Sequence, residues 1–206
     1  VRRRGDPRHP RGYLLDQFAI ANYNHRTDEY GGSLDNRLRI SIEMVRGIKE
    51  ACGEDFPVLM RYSVASKTAG FNQSVLPGED YTEWGRSLEE SLSVVRRLEA
   101  AGVDALDTDN GTYDSWHWCH PPTYMPDACN LPESAYIRNF CKIPVMVSGK
   151  MGNPDVALQA VVSGAVDAVA MARPSWRTTT GPPRCGRAAW RISAPASAAT
   201  TAALAG

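Results

Sequence analysis

The 206-residue chain carries 23 Lys plus Arg against 23 Asp plus Glu, so its formal net charge of zero gives no global case for nucleic acid or an anionic membrane as partner. A hydrophobic content of 43% and a charged content of 22% are ordinary for a globular protein, and the length suffices for one domain with a sizeable core. No apolar run approaches the roughly 20 residues that span a bilayer. Five cysteines (Cys52, Cys119, Cys129, Cys141, Cys185) are odd in number and irregular in spacing, and no signal peptide precedes them. Free thiols in a reducing, cytoplasmic setting are therefore expected.

Charge is uneven along the chain. Residues 1–11, VRRRGDPRHPR, hold five arginines and one aspartate without apolar periodicity, as an irregular basic arm would, and no Asp or Glu follows Asp167. Gly12–Arg39, GYLLDQFAIANYNHRTDEYGGSLDNRLR, joins an apolar opening (Tyr13, Leu14, Leu15, Phe18) to a polar turn and a Gly31-Gly32 hinge. Periodicity does not require that string, so it reads as a purpose-built loop that leaves a barrel strand and closes over a cofactor. Ser33 can cap a helix over 34–52, with Leu34, Leu38, Val45, Ile48 and Cys52 on one apolar face and Arg37, Arg46, Lys49 and Glu50 mostly off it. Residues 57–63 form a short apolar run of the kind found in buried parallel strands.

A loop over 64–79 is followed by a helix over 87–101, with Leu88, Leu92, Val95 and Leu98 inward. Gly102 stops it, and 103–108 is a strand. The aromatic loop 111–124 precedes a short helix near 133–140, a strand over 143–148, a helix from Asn153-Pro154 through Val162, and a last strand over 167–172. Strictly alternating elements predict a parallel sheet with right-handed crossovers. Four such units make half of an eight-fold barrel. Beyond Pro174 the chain turns Arg/Ala/Thr/Pro-rich and shows no further unit.

Reactive groups in such barrels lie at the carboxyl ends of strands. Those ends carry Arg61-Tyr62-Ser63, Asp107 to Gly111, Ser148-Gly149-Lys150 and Ala172-Arg173. The last two pairs place a small residue before a cation, which suits a phosphate; solvated caps at the sheet edge are the alternative. Arg61, inside a strand, needs an anionic or electron-rich ligand or a structural salt bridge. Asp107 and Asp109 can serve acid–base chemistry or cap their loop. His117, Cys119 and His120 lack a paired second half for zinc, so no metal site is expected. Trp116 and Trp118 can form a lid over an apolar ligand, or the loop can pack on its own aromatics.

The strings GYLLDQF…RTDEYGGSLDNR, VLMRYS and VSGKM…AVAMARP resemble the Old Yellow Enzyme class of NADH:flavin oxidoreductases. Within it they are similar to the branch of 2,4-dienoyl-CoA reductases and bile-acid-inducible clostridial oxidoreductases. The resemblance covers residues 12–174 and implies an FMN-binding (β/α)8 TIM barrel, of which this chain would supply strands five to eight. It implies FMN as cofactor, NAD(P)H as electron donor, and an enone or acyl-CoA-type small molecule as substrate. By resemblance Arg61 faces the flavin ring, while Ser148, Gly149, Lys150, Ala172 and Arg173 hold its phosphate. Tyr13 matches the tyrosine that protonates the alkene carbon, and Tyr113 occupies roughly the place where dienoyl-CoA reductases put a second acid.

The family precedes GYLL with a strand like DGVEIH-x-x-H/N, where this chain has RRRGDPRHPR. Read one base later with suitable synonymous codons, residues 2–11 encode DGVEIHAIHE. Residues 176–206 shifted likewise can encode a cysteine cluster like the relatives' iron–sulfur motif, whose cysteines are absent in the present frame. Residues 1–11 and 175–206 are thus expected to be frameshifted translations; an intact high-quality nucleotide read in the present frame would refute this. Two other functions stay open from the residues alone: a non-enzymatic module with basic arms, and a flavin-free phosphate-binding barrel enzyme.

Overall fold

The computed structural model describes residues 13–171. The basic arm, the 175–206 tail with its expected cysteine frame, Cys185, Ala172 and Arg173 lie outside the described residues. In chain order the elements are α1 (Leu14–Ala19), α2 (Leu34–Cys52), β1 (Leu59–Ser63), β2 (Thr68–Gly70), β3 (Gln73–Ser74), α3 (Leu88–Ala101) and β4 (Ala105–Asp109). A 3-10 turn at Tyr113–Ser115 then leads into α4 (Trp116–Cys119), α5 (Leu131–Arg138), β5 (Val145–Ser148), α6 (Pro154–Val162) and β6 (Ala168–Ala170). The helix starts follow their caps. Asn36 N–H donates to Ser33 Oγ at 3.3 Å, Glu90 N–H to Ser87 Oγ at 3.2 Å, and Asp155 N–H to Asn153 Oδ1 at 3.1 Å.

Strands β1, β4, β5 and β6 form one parallel sheet in that order, as the alternating elements predicted. β1 and β6 are its edges among the described residues. The core lies on one face, where Tyr62, Leu106, Val145 and Val147 meet Val95 and Leu98 of α3, Ile137 of α5 and Ala160 of α6. The opposite face presents Leu59 and Arg61, both exposed. Residues 57–63 are therefore covered on one face and not buried throughout. The loop predicted over 64–79 contains the two-stranded β2–β3 hairpin, and Gly12–Arg39 contains the unforeseen helix α1.

The face predicted for α2 needs correction. Ile48 and Cys52 are exposed, whereas Arg37 and Lys49 are buried beside Leu38 and Val45. Both cations are paid for by partners that periodicity does not reveal. Lys49 Nζ donates to Glu54 O and Phe56 O at 2.9 Å each and to Asp104 Oδ2 at 2.7 Å. Arg37 pairs with Glu90 Oε1 at 2.6 Å and also reaches Ala19 O. In α3, Val94 is buried while Leu88 and Leu92 are half-buried, a rotation of the predicted face. Lys49→Met is expected to destabilise the fold by about 2 kcal/mol, measured by urea unfolding, because two backbone carbonyls and a partly solvated carboxylate lose their donor.

The string RTDEYGGS ties itself together. Asn24 Nδ2 donates to Phe18 O at 2.7 Å and Tyr30 O at 2.6 Å, and Asn24 Oδ1 accepts from Arg26 N–H at 3.0 Å. Arg26 pairs with Asp28 and lies over the rings of Phe18 and Tyr30. Asn36 Nδ2 closes the turn on Gly31 O at 3.0 Å. These contacts staple α1 to the start of α2.

Candidate functional site

A cavity of about 600 Å³ runs along the β1 edge of the sheet from Leu59 to Ser63, bordered by α1 and by Leu38 and Ser41 of α2 and Val94 and Leu98 of α3. Leu14, Leu15, Leu59 and Met60 form much of its apolar wall, and Tyr13, Arg61, Asp109 and His120 supply polar groups. Of Gly12–Arg39, the residues on this wall belong to the opening, α1 and Leu38. The polar turn Asn24–Ser33 does not line it, so that part of the stretch does not close over this cavity as expected.

Strand register sets the partners of Arg61. It lies opposite Asp107, and Ser63 lies opposite Asp109, so both carboxylates share its face. Arg61 donates to Asp107 Oδ2 at 2.6 Å and to Asp109 Oδ2 at 2.5 Å. Its side chain nevertheless stays 50% exposed. The salt bridge weighed for Arg61 is present, and it leaves the guanidinium facing the cavity. Asp107 and Asp109 hold this cation; they do not cap the following loop, whose turn is capped by Thr112.

Burial pushes the Asp109 carboxyl up to about 7, against the downward pull of Arg61. An acid whose folded pKa lies above its unfolded value binds more protons when folded, so its contribution to stability grows as pH falls from about 7 towards its unfolded value near 4. Asp109→Asn is expected to flatten stability across that window. A carboxyl ¹³C titration should place the Asp109 midpoint near neutrality; an ordinary carboxylate midpoint would contradict the assignment.

Tyr13 and Tyr113, predicted to lie in one site, are neighbours with ring centroids 5.2 Å apart. The Tyr113 ring stacks on Trp116 at 5.1 Å and Trp116 on His120 at 4.1 Å, giving a ladder whose two ends, Tyr13 and His120, line the cavity. Burial, then the neighbouring Tyr113, raises the Tyr13 phenol above its ordinary value. Burial likewise holds the Cys119 thiol well above its ordinary range, so it stands in the wall as a neutral group.

The lid expected of Trp116 and Trp118 divides. Trp116 is exposed, but Trp118 is buried with Met125 and Cys129, and its Nε1–H donates to Val75 O at 2.7 Å. His117 bonds Val75 O at 3.0 Å and Ser74, away from His120. Among the described residues no group of three His, Cys, Asp or Glu could hold a metal.

At the end of β5, Ser148 Oγ donates to Thr108 O at 3.3 Å. Gly149 has φ +108°, and a Cβ there would lie 2.4 Å from Asn130 Nδ2. Asn130 is fully buried and donates to Ser148 O at 3.0 Å and Trp118 O at 3.2 Å, joining this strand end to the aromatic loop. Lys150 Nζ donates to Thr123 O at 3.1 Å and lies 3.7 Å from Asp127, so its cation is tied to that loop and is not a solvated cap. Asn130 and the Asp16–Arg86 ion pair, 2.9 Å apart on the cavity wall, were not singled out from the sequence. A lone acid within the apolar opening, Asp16, and an arginine just before Ser87 were the signals available.

Parallel strands with polar groups at their carboxyl ends and helices on one outer face define an enzyme site of the βα type. The chain belongs to the NADH:flavin oxidoreductase / NADH oxidase family, whose model matches residues 9–180. It is 47% identical over 163 residues to a cinnamate reductase of Clostridium sporogenes, covering 79% of this chain and 24% of that protein. It is 32% identical over 170 residues to an NADH oxidase of Thermoanaerobacter brockii, covering 80% of this chain and 24% of the other. A solved 2-naphthoyl-CoA reductase in complex with 2-naphthoyl-CoA superposes with a TM-score of 0.71 at 28% identity, over 84% of this chain and 24% of that one. The chain thus spans about a quarter of the length of these relatives.

Proposed function

We propose that residues 12–174 form the carboxyl-terminal half of an FMN-binding (β/α)8 barrel in an NAD(P)H-dependent oxidoreductase of the enoate or 2,4-dienoyl-CoA reductase type. The observation that carries this reading is the meeting of Tyr13 and Tyr113 at the mouth of an apolar cavity that also exposes Arg61. The residues fit a flavin. A half-exposed guanidinium on an apolar wall suits the electron-rich edge of its ring, and Ser148, Gly149 and Lys150, with Ala172 and Arg173, are assigned to its phosphate.

When bound, FMN supplies a hydride, drawn from NAD(P)H, to the electron-poor carbon of an activated C=C. Tyr13 holds the proton for the adjacent carbon. A tyrosine phenol, with an ordinary pKa of about 10, is protonated at neutral pH, as an acid requires, and the upward shift leaves it so. Tyr113 is the second acid, in contact behind it. The apolar wall excludes water from the reacting carbons, and the two aspartates orient Arg61. A small-molecule enone or acyl-CoA fits this chemistry, and the thiols of Cys52, Cys119 and Cys141 support a reducing, cytoplasmic setting.

Among the described residues β1 and β6 are unpaired sheet edges, and the β1 edge borders the cavity. We therefore expect this polypeptide alone to bind FMN weakly and to show no turnover. In an FMN fluorescence titration, Arg61→Met should weaken binding about tenfold, or about 1.4 kcal/mol. Equal affinity of the two proteins would remove Arg61 from the flavin site. A yellow, active preparation would overturn the expectation of inactivity.

A further inference from the structure

Apolar packing anchors only the far end of helix α1, where Ala19 joins the core and the following Ile20 is buried. The helix has six residues, far too few for independent stability, and only Ala19 among them is buried. Leu14 is exposed, and the Tyr13 side chain caps no N–H of the helix. Polar anchors hold it as well. At its far end Arg37 reaches Ala19 O while pairing with Glu90 of α3. At its first turn, Asp16 Oδ1 lies 2.9 Å from the NH2 nitrogen of Arg86.

Arg86 belongs to the body of the fold. Its side chain is 2% exposed, the guanidinium carbon lies 5.0 Å from the Tyr62 ring centroid, and its NH1 donates to Ser63 O at 2.7 Å. The Arg86 backbone N–H donates to Ser66 Oγ at 2.8 Å. A guanidinium this buried demands a carboxylate, because an unpaired buried charge is strongly unfavourable. Asp16 supplies it. The ion pair therefore draws α1 onto the carboxyl end of β1, and with it the residue that begins the helix, whose carbonyl accepts from Gln17 N–H at 3.0 Å.

We propose that Arg86 is a positioning residue for Tyr13, acting through Asp16 to hold the phenol against Tyr113 at the cavity mouth. This rests on the reading of Tyr13 as the proton donor, but its test does not need turnover. The full chain carries 3-fluorotyrosine at position 13, and ¹⁹F NMR follows its shift and titration in wild type, Asp16→Asn, Arg86→Met and Arg86→Lys. Circular dichroism monitors the fold, and Arg97→Met, which breaks an exposed pair with Asp35, is the control.

In Asp16→Asn and Arg86→Met the expected result is loss of the ring-current shift from Tyr113 and a titration midpoint that falls towards the ordinary phenol value. Arg86→Lys should keep part of both, since it retains charge but loses the fork, and Arg97→Met should change neither. Should Arg86→Met fail to fold, Asp16→Asn decides alone, because it preserves shape. A wild-type ¹⁹F signal and midpoint in folded Asp16→Asn would overturn the proposal. Failure of the donor reading would show separately, as undiminished hydride transfer in Tyr13→Phe once the flavin enzyme is assembled.

Discussion

Asn130→Ala is expected to lower stability by about 4 kcal/mol, measured as a shift of the urea midpoint at constant slope. The side chain is fully buried, and its amide is the donor for Ser148 O and Trp118 O. Its Oδ1 accepts from Asn110 Nδ2 at 3.1 Å. Alanine leaves these groups without their partner in a site water does not reach, and buried unsatisfied groups cost about 1–3 kcal/mol each. Gly149→Ala should be comparably harmful, since its Cβ would strike the Asn130 amide in a backbone conformation that L side chains rarely adopt. Because both substitutions act at one contact, the double variant should cost less than the sum of the two. Strict additivity would mean that Asn130 and Gly149 are not coupled. The functional consequence falls on the end of β5, where the phosphate is assigned.

Gly31→Ala is the second large effect, expected to cost about 3 kcal/mol. A Cβ at Gly31 would lie 2.0 Å from Arg26 O, and this obstacle is backbone that cannot swing aside. The loop would have to open, releasing the bonds from Asn24 and Asn36 that staple α1 to α2. Asp28→Asn, although it removes the motif's most conspicuous ion pair, should change stability little, because Arg26 and Asp28 are both half-exposed. Thermal unfolding of the two variants side by side tests this ranking. An Asp28→Asn loss as large as that of Gly31→Ala would place the motif's role in its charges and not in its backbone.

Both variants bear on how the site was legible. The caps Ser33, Ser87 and Asn153 sit within local sequence windows, so the helix starts at Leu34, Leu88 and Pro154 follow from neighbouring residues alone. The alternation of strand and helix is equally local, and it leads to a parallel sheet because short crossovers allow little else. The strings around Tyr13, Arg61 and Ser148 indicated the family, and the chain belongs to it.

Partners distant in sequence were not legible in this way. Periodicity puts Arg37 and Lys49 on a polar face because it weighs side chains singly; burial came from Glu90 and Asp104, 53 and 55 residues away. The same reasoning leaves Trp118 as a lid, whereas Val75 O and the Met125–Cys129 cluster bury it.

The sequence by itself determined the alternation of the four parallel strands with their helices, the caps of α2, α3 and α6, the family, and the residue types at the strand ends, because each depends on nearby residues or on a contiguous string. Only the tertiary structure decided that Arg61 is clamped by two carboxylates yet exposed to the cavity, that Tyr13 meets Tyr113, and that a buried arginine holds the helix bearing Tyr13. These arrangements depend on strand register, on charges brought together across 46 to 70 residues of chain, and on an aromatic contact across 100, with desolvation making a buried cation select a specific acidic partner.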